Sequence, residues 1–441
     1  MTASLRARVS RPPDVGQRVG VWWLNPVALI GMVALPTTWL AYAIPDDRYR
    51  ALWRTPKVLT LDWTLWFTVG LLLFIGGALL PAARGRARRV PDWPALSPAD
   101  LRLLGRAATV TFWLVMVGYV AFLLAGARAG ISPSVLVDIL VDQELYGVGL
   151  RETLGTVPGL TTMTQFGVAF AVVTGVLMVA DPASRPRHLR RLAVVFFLAL
   201  CRAFFLSERL ALLELLVPLI VVLVAGLSRS STGARRASFL PAVLLPLVVA
   251  VFAAFEYSRS WVFYKAQGGQ SFPTFVVERF AGYYVTAYNN GEIRLLHQTD
   301  ASLPYDLLSA FWTAPGVGSL NLFRTLTGVD QESSYTDALT TFGNPEFNNT
   351  GGVVSPFVDL GLLGGLVFFL LAGLACGLLY RSLQEGRTWG LLLYPLVVLT
   401  LFELPRYLYL FQGRATPGLI ALVTVALLVH RNRRRRTGAR L

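Results

Sequence analysis

Cysteine, histidine and lysine are all scarce in this chain. The two cysteines, Cys201 and Cys376, each fall inside an apolar run, which excludes a disulfide framework and a cysteine metal site. The three histidines, His188, His297 and His430, are too widely spaced for a zinc motif. Phosphate-binding glycine loops and nucleophile elbows are also missing. Charge is sparse as well: 15% of the 441 residues are charged and 54% are hydrophobic, a balance that no water-soluble core can hide. The expected class is an all-α integral membrane protein. Lysine occurs only at Lys57 and Lys265 against 38 arginines, a bias that suits a GC-rich bacterium and therefore its plasma membrane. The basic runs are short, scattered among membrane loops and without interleaved aromatics, which argues against a nucleic-acid partner.

What the chain has in abundance is apolar runs of spanning length. A membrane helix needs roughly 20 apolar residues, and by that ruler about ten spans begin near Asn25, Asp62, Ala107, Pro158, Arg190, Glu208, Phe239, Val354, Thr388 and Ala415. The fifth and sixth are separated only by Phe205-Leu206-Ser207-Glu208, so they form a tight hairpin or a pair of short, tilted or re-entrant helices. No small-residue cleavage site follows the first run, so it reads as a helix and not as a cleaved signal.

Arginine placement sets the orientation, because short cytoplasmic loops retain positive charge. With the N-terminus inside, Arg84, Arg86, Arg88 and Arg89, then Arg185 to Arg191, Arg229 to Arg236 and Arg431 to Arg436 all lie on the cytoplasmic side. That side holds 25 of the 40 basic residues and 5 of the 25 acids, net +20, which leaves −5 for the rest of a chain of formal charge +15. Both termini are then cytoplasmic. The expected division is a membrane domain over 1–256 with spans one to seven, a large extracytoplasmic loop over 257–353, a second membrane part over 354–430 with spans eight to ten, and a basic tail over 431–441 that rests on anionic headgroups or simply stops transfer.

Local signals refine this plan. Ser97-Pro98-Ala99-Asp100 reads as a capped helix start leading along the interface into the third span. The outer stretch 128–157, with Asp138, Asp142, Glu144, Arg151 and Glu152 around Val135, Leu136, Ile139 and Leu140, suits an amphipathic surface helix. Gly361, Gly365, Gly373 and Gly377 recur at multiples of four and would line one packing face.

An ionisable side chain at the end of a span is costly unless it is paired or serves a ligand. Arg202, Glu208, Arg209, Glu256, Arg259, Asp359, Glu403, Arg406 and Arg414 all fall at outward ends. Converging guanidinium groups at that depth suit a lipid-borne pyrophosphate, which their planar fork binds bidentately. The loop adds Arg279, Tyr283, Tyr284, Tyr288, Asn289, Asn290 and Arg294, then Phe311-Trp312 and Asn344 to Asn349, the aromatic and amide mixture that binds sugars or forms the loop's own small core. A rival pair, Asp46-Asp47, follows the first span and is followed by Arg48, Arg50, Arg54 and Lys57.

Arg202 with Ser207-Glu208-Arg209 before an apolar helix, and Asn344-Pro345-Glu346 running through Asn349-Thr350-Gly351-Gly352 to Asp359 and Gly364, resemble the oligosaccharide repeat-unit polymerases, the O-antigen or Wzy-type family. The resemblance covers most of the chain past about residue 160. It implies a membrane fold like that of the C-type glycosyltransferases and metal-independent, cofactor-free glycosyl transfer on the outer face. The partners implied are polyprenyl-pyrophosphate-linked oligosaccharides, membrane lipids and a chain-length regulator protein. Carried onto this chain, Arg202, Arg209, Arg259, Arg279 and Arg406 would hold the pyrophosphate. Glu346, Glu208 or Asp359 would serve as base, and Tyr283, Tyr284, Asn289, Arg294, Asn344, Asn348 and Asn349 would meet the sugars. Alternatives are a polyprenyl-phosphate-sugar transferase using Asp46 and Asp47 with a metal, a glycan ligase, and a lipid-linked glycan transporter.

Overall fold

The computed structural model describes residues 21–83, 93–94, 96–141, 157–206, 208–261, 264–265 and 270–438, and these contain helices and turns but no strands. Arg84, Arg86, Arg88, Arg89, Asp142, Glu144, Arg151, Glu152 and Ser207 lie outside the described residues.

Among the described residues, seven helices are long and apolar enough to cross a membrane. They are α1 (Pro26–Ala43), α3 (Leu61–Ala83), α4 (Pro98–Arg128), α6 (Gly167–Ala180, extended by a 3-10 turn from Thr161), α8 (Leu210–Leu227), α9 (Ser231–Glu256) and α12 (Ser355–Gln384). Between them come α2 (Asp46–Trp53), α5 (Pro133–Val141), α7 (Arg185–Phe205), α10 (Phe272–His297), α11 (Gln331–Phe342), α13 (Thr388–Glu403) and α14 (Thr416–Gly438). The fifth and sixth runs do form a tight hairpin, α7 to α8.

Helix starts follow their capping chemistry. Ser97 Oγ accepts from Asp100 N and the Asp100 carboxylate accepts from Ser97 N, a reciprocal box that satisfies two orphan donors. The lead-in expected there is continuous with the span itself, one 31-residue helix. Asn25, Ser230 and Ser271 cap α1, α9 and α10 one way only, each side chain accepting from Val27 N, Gly233 N and Thr274 N respectively.

Small residues decide the tightest contact, between α3 and α12. A Cβ on Gly373 or Gly377 would collide with the Phe74 or Ala78 carbonyl, and one on Gly77 would collide with the Leu370 carbonyl. Backbones can approach this closely in lipid only where side chains vanish. The four-glycine face expected on α12 is therefore half right. Gly365 meets only Phe357 of its own helix, and Gly361, at φ +69° with open space around it, breaks the helix.

Helix α6 is the centre of the bundle, with 78% of its apolar stretch buried, whereas α9 has 6% buried and lies at the edge. Edge helix α9 is tied at both ends: Trp22 and Trp23 donate indole N–H to the Ser238 and Ala237 carbonyls, and Glu256 is engaged by arginines.

The segment 257–353 is not simply a loop. Its first half holds α10, a 26-residue helix that lies across one end of the bundle. Arg279 meets Glu256 at the end of α9, Glu292 meets Thr60 just before α3, and Arg294 meets Ser355 at the start of α12, so α10 passes over three helix ends. Its middle dips against α1, where Tyr288 donates to the Ala34 carbonyl. The first group of aromatic and amide residues that read as a polar loop, Arg279 to Arg294, is thus strung along one half-buried helix. The opposite end of the bundle gathers the basic residues: Arg433 on Asp100, Arg436 on Ser97, and Arg381 on Glu385 and the Pro81 carbonyl.

Candidate functional site

At the end crossed by α10, arginines converge on one tyrosine. The Arg279 and Arg406 guanidinium carbons each lie 5.5 Å from the Tyr283 ring centroid. Arg209 lies 4.8 Å from the Phe252 ring, and that ring packs edge-on against Tyr283 at 5.9 Å. Arg279 also faces Phe347 at 4.6 Å and Tyr264 at 5.8 Å, and Arg54 faces the same Tyr264 ring at 5.8 Å. Three helices and one turn deliver these groups: Arg209 directly precedes α8, α9 ends with Glu256, α10 carries Arg279 and Tyr283, and the turn after α13 carries Arg406. Arg54 is the left-handed cap of α2, at φ 54°, a conformation that costs a non-glycine residue about 1 kcal/mol or more and is characteristic of functional positions.

Carboxylates run between the arginines. Glu256, with no exposure, bonds Arg209 and sits 3.5 Å from Arg279 Nε. Glu346, 39% exposed, lies 2.7 Å from Arg279 Nη1 and accepts from the Tyr264 hydroxyl at 2.9 Å. These Arg279 contacts are close but poorly aligned: Arg279 Nε and Nη1, Glu256 Oε2 and Arg406 Nε have no partner in hydrogen-bond geometry. Burial works against the charge of Arg279, but Tyr283, Glu346 and Glu256 more than offset it and hold its pKa above the ordinary value. Burial and the hydrogen bond to Glu346 likewise raise that of Tyr264. Arg406 is anchored by Glu403 at 2.8 Å and reaches Asn349 Oδ1 at 3.4 Å, while Asn349 donates to the Tyr283 carbonyl.

Of the residues singled out in the sequence, Arg209, Arg279, Arg406, Glu346, Tyr283 and Asn349 come together here, with Tyr284 5.9 Å from Arg406. Asn344 is beside them, donating to the Trp53 carbonyl and accepting from Glu346 N. Asn348 is exposed, and its carbonyl accepts from Tyr335. The others are placed elsewhere. Arg202 is engaged by Glu208 through Nε and Nη2 and by Thr164 through Nη1, which occupies that pair with itself. Both Asp359 oxygens accept backbone N–H groups, from Tyr305 and Leu307, which makes it a clamp on the chain before α11. Asn289 is buried and bonds Val58 N, Leu59 N and the Pro56 carbonyl. Arg294 is buried on Asp306 and Gln298. These side chains satisfy a connection that would otherwise bury unpaired backbone groups. The Arg259 side chain lies outside the described residues. Of the rival pair, Asp46 sits in the first turn of α2, 3.4 Å from Lys57, whose ammonium caps the Tyr42 and Ile44 carbonyls.

Sequence reasoning passed over Tyr264, Phe347 and Glu214. Glu214, inside an apolar run and 2.6 Å from Arg414, is the kind of residue that the cost of charge within a span flags. Tyr264 and Phe347 carry no such signal, since each acts only through the neighbours the fold gives it.

The fold and this site define a protein whose described residues are all-helical, with seven helices among them long and apolar enough to cross a membrane and an arginine cluster at one end of the bundle. No protein-family profile, curated protein or solved structure matches the chain.

Proposed function

We propose that this chain is a membrane glycosyltransferase that polymerises polyprenyl-pyrophosphate-linked oligosaccharide repeat units on the outer face of a bacterial plasma membrane. The observation that carries the reading is the convergence of Arg279 and Arg406 on Tyr283, with Arg209 one ring away on Phe252 and buried Arg279 and Arg406 donors left unaligned. In this reading α7, α13 and α14 join the seven apolar helices as spans, giving about ten with both termini cytoplasmic. The arginine cluster then lies at the outer leaflet, the depth at which a lipid presents its phosphates.

The chemistry follows from the groups at hand. The bond between the donor sugar's anomeric carbon and the pyrophosphate oxygen breaks as the acceptor hydroxyl attacks that carbon. Charge develops on the leaving pyrophosphate, and prearranged guanidinium groups stabilise it there more than in the ground state. Glu346 is the one proposed base that is both within the cluster and open to solvent, so it takes the acceptor proton. Tyr283 and Tyr264 offer ring faces to the sugars.

The test is product analysis in a strain lacking the gene. Lipid-linked single repeat units should accumulate, and the ladder of longer chains should vanish. Chains that remain polymerised but stay on the carrier would replace the polymerase with a ligase or transporter. A repeat unit missing one sugar, with chelator-sensitive activity, would replace it with the Asp46-Asp47 transferase.

A further inference from the structure

The far end of α10 and helix α11 frame a second, open cavity of about 450 Å³. It begins at His297, roughly 21 Å along α10 from Tyr283 at 1.5 Å per residue, so it is separate from the arginine cluster. His297, Asp330, Ser334, Asp337, Thr341 and Phe342 are among its walls. Some of these are occupied by the fold: Asp330 caps α11 and lies 3.6 Å from Arg324, and Ser334 Oγ accepts from Thr299 N. Others are not. Among the described residues, the Asp337 carboxylate, the Thr341 hydroxyl and the His297 ring nitrogens have no hydrogen-bond or ion-pair partner.

Beside those polar groups lies a flat apolar wall. The His297 and Phe342 rings stack at 3.8 Å and 12°, and Phe342 is 37% exposed. A pyranose needs this combination: an aromatic face for its C–H side, a carboxylate to accept from its hydroxyls, and hydroxyl or imidazole groups that both donate and accept. The described residues bring no three of His, Cys, Asp and Glu together as metal ligands, so the carboxylates here do not form a cation cage. Asp330 and Asp337 on one wall also repel an anionic sugar, and such repulsion is a source of specificity.

We propose that this cavity is a second glycan-binding site that takes a neutral or amino-sugar segment of an oligosaccharide. Its role, holding the part of the glycan remote from the reacting end, rests on the glycosyltransferase reading; its binding of sugar rests on its own residues alone.

The test is isothermal titration calorimetry of the full chain in nanodiscs against chitotetraose, a chitosan tetrasaccharide and tetragalacturonate. The neutral and amino tetrasaccharides should bind at least tenfold more tightly than the galacturonate. Phe342→Ala should weaken them at least tenfold, and Asp337→Asn should weaken the chitosan at least tenfold while narrowing the gap to the galacturonate. Gly76→Leu, remote on α3 with open space at its Cβ, should leave all three unchanged. The proposal is overturned if neither the neutral nor the amino tetrasaccharide binds, if the acidic one binds equally, or if binding ignores Asp337 and Phe342. Sugar binding as expected in a protein whose deletion leaves polymerisation intact would retain this site and discard the polymerase.

Discussion

Replacing Glu256 by alanine removes a carboxylate of zero exposure that bonds Arg209 and faces Arg279. Arg209, 18% exposed, then loses its nearest countercharge, and Arg279, 4% exposed, is left with Glu346 alone. Breaking a buried ion pair from one side costs on the order of 3–5 kcal/mol, because the charge left behind is neither paired nor hydrated. At about 2.1 cal/mol/K per residue, a chain this long would melt roughly 3–5 °C lower. The same substitution leaves a stronger anion site. Inorganic pyrophosphate should therefore stabilise Glu256→Ala more than the wild-type protein, the variant gaining about 2.7 kcal/mol in all at a hundred times its own Kd. Both quantities can be read from thermal unfolding of the purified protein, with and without pyrophosphate. A variant that melts like wild type would refute the buried-pair reasoning, and one that is destabilised but gains nothing from pyrophosphate would refute the reading of the cluster as an anion site.

Other outcomes follow from the same geometry. Arg279→Ala should lower the rate of repeat-unit extension by about a hundredfold to a thousandfold, the scale of losing one donor to developing charge, with Arg279→Lys intermediate because a point charge replaces the fork; a product ladder from membranes measures both. Gly373→Leu should push α3 from α12 and cost at least about 1–3 kcal/mol of overpacking, seen as a fall in melting temperature that Gly76→Leu, with open space at its Cβ, does not share. Glu292 is buried, and burial raises its pKa despite the hydrogen bonds from Thr60. The proton it binds in the folded state stabilises fully below the ordinary glutamate value of 4.5 and progressively less as pH rises through the raised one. Stability of the wild-type protein should thus decline over that acidic window relative to Glu292→Gln; parallel melting profiles of the two across pH would contradict it.

Much of the helical plan is legible in the sequence alone. Runs of spanning length locate all seven long apolar helices, because in lipid the backbone must satisfy itself and apolar length is the only signal required. The Ser97 cap and the α7–α8 hairpin are readable for similarly local reasons. Less legible is α10, since its mean hydropathy is low and its burial depends on partners in α1, α3 and α12. A helix whose polar face is covered by other backbone looks, residue by residue, like a loop.

The sequence by itself determined that the chain builds apolar helices, where they start, and that arginine dominates its charge, because these depend on composition and spacing along one dimension. Which arginines meet was decided only by the tertiary structure. Arg202 and Arg209 are seven residues apart at the same hairpin, yet one closes on Glu208 while the other shares Glu256 with Arg279 and packs on Phe252 against Tyr283. Asp359 and Glu346 read as equivalent candidates, yet backbone N–H groups occupy the first and solvent reaches the second. Pairing is a contest among neighbours in space, and α10 crossing the ends of the bundle supplies those neighbours.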